Sequence, residues 1–207
     1  MKKILKSEPQ VRKGVVILLV VAVLVSGGFL MVGGIYNQLV AADEVVSSAW
    51  GQVENVYQRR LDLIPNLVAT VKGYAAHERE TLQSVIEARS KIAKLNVSAE
   101  TIKDPQALAR FEQAQENLSS AISRLLVVVE QYPDLKANQN FLALQSQLEG
   151  TENRITVERR RFNEAARSFN TKVRVFPNNL VAGMTGFGKK AYFQADQAAK
   201  SAPKVVF

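Results

Sequence analysis

The stretch PQALARFEQAQENLSSAISRLLVVVEQ, residues 105–131, decides the fold. Leu108, Phe111, Gln115, Leu118, Ile122, Leu125 and Val129 follow one another at alternating spacings of three and four. This is the seam along which helices pack side by side, with about 3.5 residues per turn. Asp104-Pro105 opens the stretch with a capping side chain and a proline at the first helical position, where a missing N–H costs nothing. Tyr132-Pro133-Asp134 ends this helix and starts the next.

The same spacing recurs on both sides. Residues 63–95 place Ile64, Val68, Val71, Ala75, Leu82, Val85 and Ile92 on one stripe. Asp62 caps this helix, with Pro65 in its first turn. Residues 134–171 place Phe141, Leu144, Leu148, Ile155, Phe162, Ala165 and Phe169 in the same way. Phe176-Pro177-Asn178-Asn179 closes the last long helix. No stretch of alternating polarity competes with these patterns. Helices of about 27 to 38 residues are roughly 40 to 57 Å long, which suits an elongated bundle rather than a compact globule. Residues 37–61, NQLVAADEVVSSAWGQVENVYQRRL, also read as helix, with Gly51 as their one breaker. Gln115, Thr151 and Glu158 are polar positions within the stripes. Residues of this kind set register or partner choice, and Glu158 is expected to pair with Arg59 or Arg60.

Upstream, Val15 to Tyr36 reads VVILLVVAVLVSGGFLMVGGIY, and no charge occurs from Gly14 to Ala42. These 22 residues span roughly 33 Å, the thickness of the hydrocarbon core. A buried core helix of this length would carry a polar face, so a transmembrane helix is expected. Val40 and Ala42 have the small-residue spacing of a signal-peptidase site. The apolar run is too long for a signal peptide, and that site lies well past its end, which favours an uncleaved anchor. Ala22 and Ser26, with Gly27, Gly28, Gly33 and Gly34, allow close helix approach in lipid. Glycine is also common in transmembrane helices without any such role.

The net charge of +8 is unevenly spread. Residues 1–13 carry +4, residues 14–158 carry −4 and residues 159–207 carry +8. The basic N-terminal flank faces Asp43 and Glu44 across the apolar run. The positive-inside rule therefore puts the N-terminus in the cytoplasm and the bundle outside. The basic C-terminal part lacks the aromatic interleaving of a nucleic-acid platform, so no nucleic-acid partner is expected. It reads as a solvated face, or as one complementary to the acidic middle of a neighbouring copy. There is no cysteine, which excludes disulfides, thiolate catalysis and Cys-ligated metal.

The remaining chemistry is sparse. Gly183 to Lys190, GMTGFGKK, is one residue away from a phosphate-cradling loop. Lys190 stands where the magnesium-binding hydroxyl is needed, and no strand precedes it. His77 is the single histidine, and Tyr74 stands where a di-iron bundle motif needs glutamate. Glu149 and Glu152 stand three apart on an arginine-rich helix, where surface ion pairs are the ordinary outcome. Arg159, Arg160 and Arg161 point in three directions around the helix. No residue is assigned a catalytic, cofactor-binding or metal role, and no cofactor is expected.

Several ordered blocks resemble the LemA family. They are RRLDLIPNLVATVKGYAAHE (59–78), VVEQYPDLKANQNFLALQSQLEGTENRI (128–155), RRRFNEAARSFN (159–170), Phe176-Pro177, LVAGMTGFGKKAYF (180–193) and PKVVF (203–207). The resemblance runs from Tyr36-Asn37 to the C-terminus. The family's usual Tyr-Asn in the arginine-rich block is Phe162-Asn163 here. The resemblance implies a membrane-anchored antiparallel helical bundle and brings no catalytic residues. A magnetosome branch of the family implies a link to membrane organisation. The resemblance also implies a short extracellular N-terminus, opposite to the cytoplasmic one that the flanking charge predicts.

The expected protein is all-α, with an N-terminal transmembrane helix followed by an elongated antiparallel, up-and-down helical bundle. Residues 1–14 form a basic cytoplasmic tail, 15–36 the span, and 37–176 the bundle. Residues 177–207 form a segment packing on the bundle or on a neighbouring subunit, with a short polar helix around Gln194–Lys200. The expected partners are membrane lipid, further copies of the chain, and a membrane protein such as a peptidase or transporter. The expected location is the bacterial cytoplasmic membrane with the bundle in the periplasm. The expected role is a non-enzymatic, self-associating envelope scaffold or membrane-organising factor, with an adaptor for a membrane enzyme as the rival.

Overall fold

The computed structural model describes residues 9–95 and 97–194. The first eight residues of the basic tail, most of the polar helix expected around 194–200, and the PKVVF end lie outside the described residues. The described chain is all-helical and forms a bundle on a long N-terminal apolar helix: α1 (Pro9–Tyr74), α2 (Arg79–Ala93), α3 (Pro105–Val129), α4 (Pro133–Lys136), α5 (Gln139–Lys172) and α6 (Asn178–Thr185).

Helix α1 holds 66 residues without interruption, roughly 99 Å at 1.5 Å per residue. Its first part, through Val32, exposes apolar side chains on every side, which suits lipid rather than water. Burial begins at Ile35 and continues through Leu39, Val46, Trp50, Val53 and Tyr57 to Ile64, Leu67, Val71 and Ala75. The spacings are those of a bundle seam. The apolar run therefore continues into the bundle as one helix without a linker, and residues 37–61 are helical as expected.

Pro65 does not start a helix. It lies inside α1, and Asp62 accepts a side-chain hydrogen bond from Gln58 instead of capping. An interior proline removes the N–H that would reach the carbonyl four residues back. That carbonyl belongs to Leu61, and it accepts from Arg89 Nε at 3.1 Å. A side chain from α2 thus supplies the donor that Pro65 lacks. Arg89→Ala is expected to destabilise the protein by about 1–3 kcal/mol, the usual cost of an orphaned polar group. In a Pro65→Ala background the restored amide takes the carbonyl, and the loss should shrink. Thermal melts of the four proteins, followed by circular dichroism, check this.

The stripe expected over 63–95 is two helices. Helix α1 stops at Tyr74, and α2 begins after a turn at 75–78. The turn is held from outside: Tyr132 Oη donates to Glu78 at 2.8 Å, and Asn138 Nδ2 donates to Tyr74 Oη at 2.9 Å. The segment 134–171 is likewise divided, into the single turn of α4 and the long α5. Asn138 caps α5 by accepting from the Phe141 amide at 3.1 Å. Asp104 caps α3 as expected, accepting from the Gln106 amide at 2.8 Å.

The helices make two stacked halves. Helix α2 is only 15 residues, roughly 22 Å, so it returns less than halfway along α1. The half far from the apolar run is a four-helix bundle of α1, α2, α3 and α5, with a core of Ile64, Leu67, Val71, Val85, Leu118, Leu125 and Phe141 among others. In the near half the chief partners are α1 and α5, joined by the start of α3 and by α6. Two helices cannot enclose a core, and the chain after α6 completes it.

Candidate functional site

Helix α6 ends at Gly186, whose φ of +79° is the left-handed conformation that glycine adopts without strain. The chain then runs in extended form along the groove between α1 and α5, from Phe187 to Gln194. Phe187 meets Tyr36 and Phe169, with ring centroids 6.0 and 6.2 Å apart. Phe193 meets Trp50 and Phe162, at 6.0 and 5.5 Å. Its backbone is caught by two asparagines seven residues apart on α5. Asn170 donates to the Lys190 carbonyl at 2.8 Å and accepts from the Lys190 amide at 2.7 Å. Asn163 does the same for Phe193, at 3.0 and 2.9 Å. On the other side, the Ala191 amide donates to the Ile102 carbonyl at 2.7 Å.

The GMTGFGKK segment runs through the end of α6 into this strap. Lys190 is buried, with Nζ 2.5 Å from Asp43 Oδ1 in an ion pair. Nζ also lies 5.2 Å from the centre of the Phe169 ring. Gly183 belongs to α6 and Gly186 to its cap. The last part of the segment was expected to pack on the bundle or on a neighbouring copy, and the described portion packs on its own bundle. The RRRFNEAARSFN and LVAGMTGFGKKAYF blocks are two sides of one interface. Phe162, where the family's usual residue is tyrosine, is fully buried between Trp50 and Phe193. Asn170→Ala would leave both polar backbone groups of Lys190 buried without partners. The expected loss is about 1–3 kcal/mol for each group. It should appear as faster hydrogen exchange at residues 187–194 before the helices open.

A second polar cluster lies where the two halves meet. Arg60 is buried and donates to Glu152 Oε2 at 2.7 Å and to Ser119 Oγ at 2.9 Å. It also donates to the Gln115 carbonyl at 3.3 Å and, in a short contact, to Gln115 Oε1. Its guanidinium stands over the Tyr57 ring, 5.3 Å from the centre. Glu158, expected to pair with Arg59 or Arg60, instead accepts from Arg161 at 2.8 Å, one turn along its own helix. Glu152 faces Arg60 because it lies six residues earlier on α5, toward the far end. Burial raises the pKa of the Tyr57 hydroxyl, against the pull of Arg159 and Arg60.

Arg159 ties this cluster to the strap. It contacts Glu112 Oε1 at 2.6 Å, donates to the Gln194 carbonyl at 3.1 Å and stands 4.6 Å over the Phe193 ring. Glu112 Oε1 also accepts from the Gln194 amide at 3.1 Å. Partial burial raises the Glu112 pKa more than Arg159 lowers it. A carboxyl that holds its proton more tightly when folded contributes stability below its unfolded pKa, and loses it as pH rises through the raised value. Glu112→Gln is therefore expected to flatten the decline in melting temperature across the carboxylate range, as pH-dependent melts would show.

The sequence-selected residues are not brought together into a reactive site. His77 lies exposed in the turn after α1. Glu149 accepts from Gln145 and Glu152 from Arg60, so the two carboxylates serve different partners. Arg159, Arg160 and Arg161 meet Glu112, Glu164 and Glu158 separately. Among the described residues, no group of three or more histidine, aspartate or glutamate side chains is placed to hold a metal. The opposite charges of the middle and C-terminal parts meet within one chain, at Lys190–Asp43 and Arg159–Glu112. Sequence reading missed Asp43, Glu112, Asn163 and Asn170. The available signal was the seven-residue spacing of the two asparagines, which sets both on one face of a helix.

The apolar N-terminal helix, the bundle that continues from it and the strap define a membrane-associated helical-bundle protein. The LemA family matches residues 49–207, more than three quarters of the chain. The chain belongs to the LemA family. It is 27% identical to Protein LemA of Metamycoplasma hominis, over 78% of this chain and 69% of that one. It is 26% identical to Magnetosome protein MamQ 2 of Paramagnetospirillum magneticum, and 25% identical to Magnetosome protein MamQ of Magnetospirillum gryphiswaldense. Each of these two alignments covers 79% of this chain and 66% of the relative. The chain thus spans about two thirds of the length of the relatives it matches.

Proposed function

We propose that this protein is a non-enzymatic scaffold of the bacterial cytoplasmic membrane, which self-associates and presents its bundle at a fixed height on the periplasmic side. The observation that carries this reading is the unbroken α1. A helix that passes from the apolar run into the bundle core without a hinge gives a rigid stand, which a scaffold needs and a tethered enzyme does not. The relatives named as magnetosome proteins agree with a membrane-organising role. Support for self-association lies in the span, where Ala22, Ser26 and four glycines offer a close-packing surface. The polar positions Gln115 and Thr151 are buried, and each makes a hydrogen bond within the chain.

Native mass measurement in a mild detergent, paired with crosslinking in cells, tests the proposal. A defined oligomer held through the span supports it. A strictly monomeric protein in both settings sinks it. Fusing a reporter to each end tests the orientation, and a cytoplasmic bundle would overturn that part.

An adaptor role has one observation in its favour. An open groove between α5 and the strap is lined by Arg160, Arg167, Glu164 and Tyr192. Its exposed arginines suit an acidic segment of a membrane protein such as a peptidase or transporter. Heterologous crosslinks from Arg167→Cys in place of homologous ones would favour this reading.

A further inference from the structure

Helix α6 turns an apolar edge outward at the level where the apolar run ends. Leu180 and Met184 lie four apart on α6 and are 58% and 84% exposed, and Phe176, two residues before the helix, is 80% exposed. The other face, Val181 and Ala182, is buried in the near core. Three large apolar side chains exposed within nine residues are more than isolated exposures.

The height of this patch is fixed by contacts. Tyr36 packs on Phe187, and the Phe187 amide donates to the Ala182 carbonyl at 3.0 Å. Four residues after Phe187 would lie the next turn of a helix; here the extended chain has already carried Lys190 down to Asp43, which lies seven residues along α1 from Tyr36. Helix α6 therefore sits beside Ile35 and Tyr36, the last residues of the apolar run. The sequence on either side of it is basic. No acidic residue occurs between Glu164 and Asp196, and Arg174 and Lys189 are exposed.

We propose that α6 is a second membrane contact. Leu180 and Met184, with Phe176 just before the helix, lie in the interfacial layer of the bilayer that α1 crosses, and Arg174 and Lys189 reach its anionic headgroups. Short amphipathic helices with a cationic rim bind lipid surfaces in this way. The bilayer is the occupant because the patch continues the lipid-facing surface of α1, through exposed Leu30, Met31, Val32, Tyr36 and Val40. Helix α1 delivers the patch to that surface whichever side of the membrane the bundle occupies. The contact would fix the tilt and rotation of the whole rod, which a single span leaves to other anchors.

The absence of cysteine makes the test direct. Full-length Leu180→Cys carries an environment-sensitive fluorophore in vesicles of phosphatidylcholine and phosphatidylglycerol. The expected result is blue-shifted emission, quenched more by lipid with a nitroxide near the headgroup than by lipid with one deep in the chain. The same label at Val127→Cys, at the far end, stays unshifted and unquenched. Quenching at 180 no greater than at 127 overturns the proposal. A blue shift without lipid quenching, growing with protein density, also overturns it, because it puts a second copy on the patch.

Discussion

Replacing Trp50 with alanine is expected to lower stability by about 3–5 kcal/mol, the range for emptying a large aromatic site in a core. Trp50 is 2% exposed and meets Phe111, Phe162 and Phe193, with ring centroids 5.5 to 6.0 Å apart. These rings belong to α3, α5 and the strap, so one side chain of α1 joins all three. Its Nε1 donates to Glu54, one turn along, at 2.7 Å, so the polar edge is satisfied without another helix. Trp50→Phe retains most of the apolar area and should recover more than half of the loss. Denaturant unfolding in detergent, read by circular dichroism, gives both values. Because Phe193 lies on the strap, Trp50→Ala should also expose residues 187–194 to protease. A loss under about 1 kcal/mol would show that the near half collapses around the cavity.

The second large effect concerns Asp43. Asp43→Ala leaves the Lys190 ammonium buried against the Phe169 ring without a counter-charge. Removing one partner of a buried ion pair costs about 3–5 kcal/mol. Asp43 is itself 30% exposed, so solvent screens the pair and the lower end is expected. Adding Lys190→Met removes the stranded charge and keeps a stem of similar length. The double variant should therefore recover most of the stability. If it is as unstable as Asp43→Ala alone, the ion pair does not hold the strap, and the two asparagines carry that role.

The parts of the fold that were legible share one property. Helix α3 touches the bundle along one face, and all seven of its stripe residues are buried. The stripes of α1 and α5 differ from the expected ones by one residue in places: Leu67 is buried in place of Val68, and Ala166 in place of Ala165. A straight helix drifts from a 3.5-residue repeat over several turns, and these helices are long enough to show it. Pro65 misled because its cost is met by Arg89, 24 residues downstream. The turn after Tyr74 contains no strong breaker, and contacts from Tyr132 and Asn138 define it. Ion-pair partners were the least legible, since Arg60 and Glu152 are 92 residues apart.

The strap was illegible for a different reason. Residues 187–194 have no periodicity, because their order comes from backbone hydrogen bonds to asparagine side chains. Lys190 stands in the motif where a magnesium-binding hydroxyl is needed; burial beside Asp43 gives it a structural task. The charge division between middle and C-terminal parts was legible, but whether the charges meet within one chain or between two is not written in composition.

The central claim is that the span and the bundle are one helix. Spin labels at Leu24→Cys and Gln52→Cys, in full-length protein in lipid nanodiscs, bracket the junction. Both positions are exposed, and 28 residues of continuous helix separate them by about 42 Å. Pulsed dipolar spectroscopy should return a single narrow distribution near that distance. A broad distribution, or one centred well below it, would reveal a hinge between membrane and bundle and contradict the account.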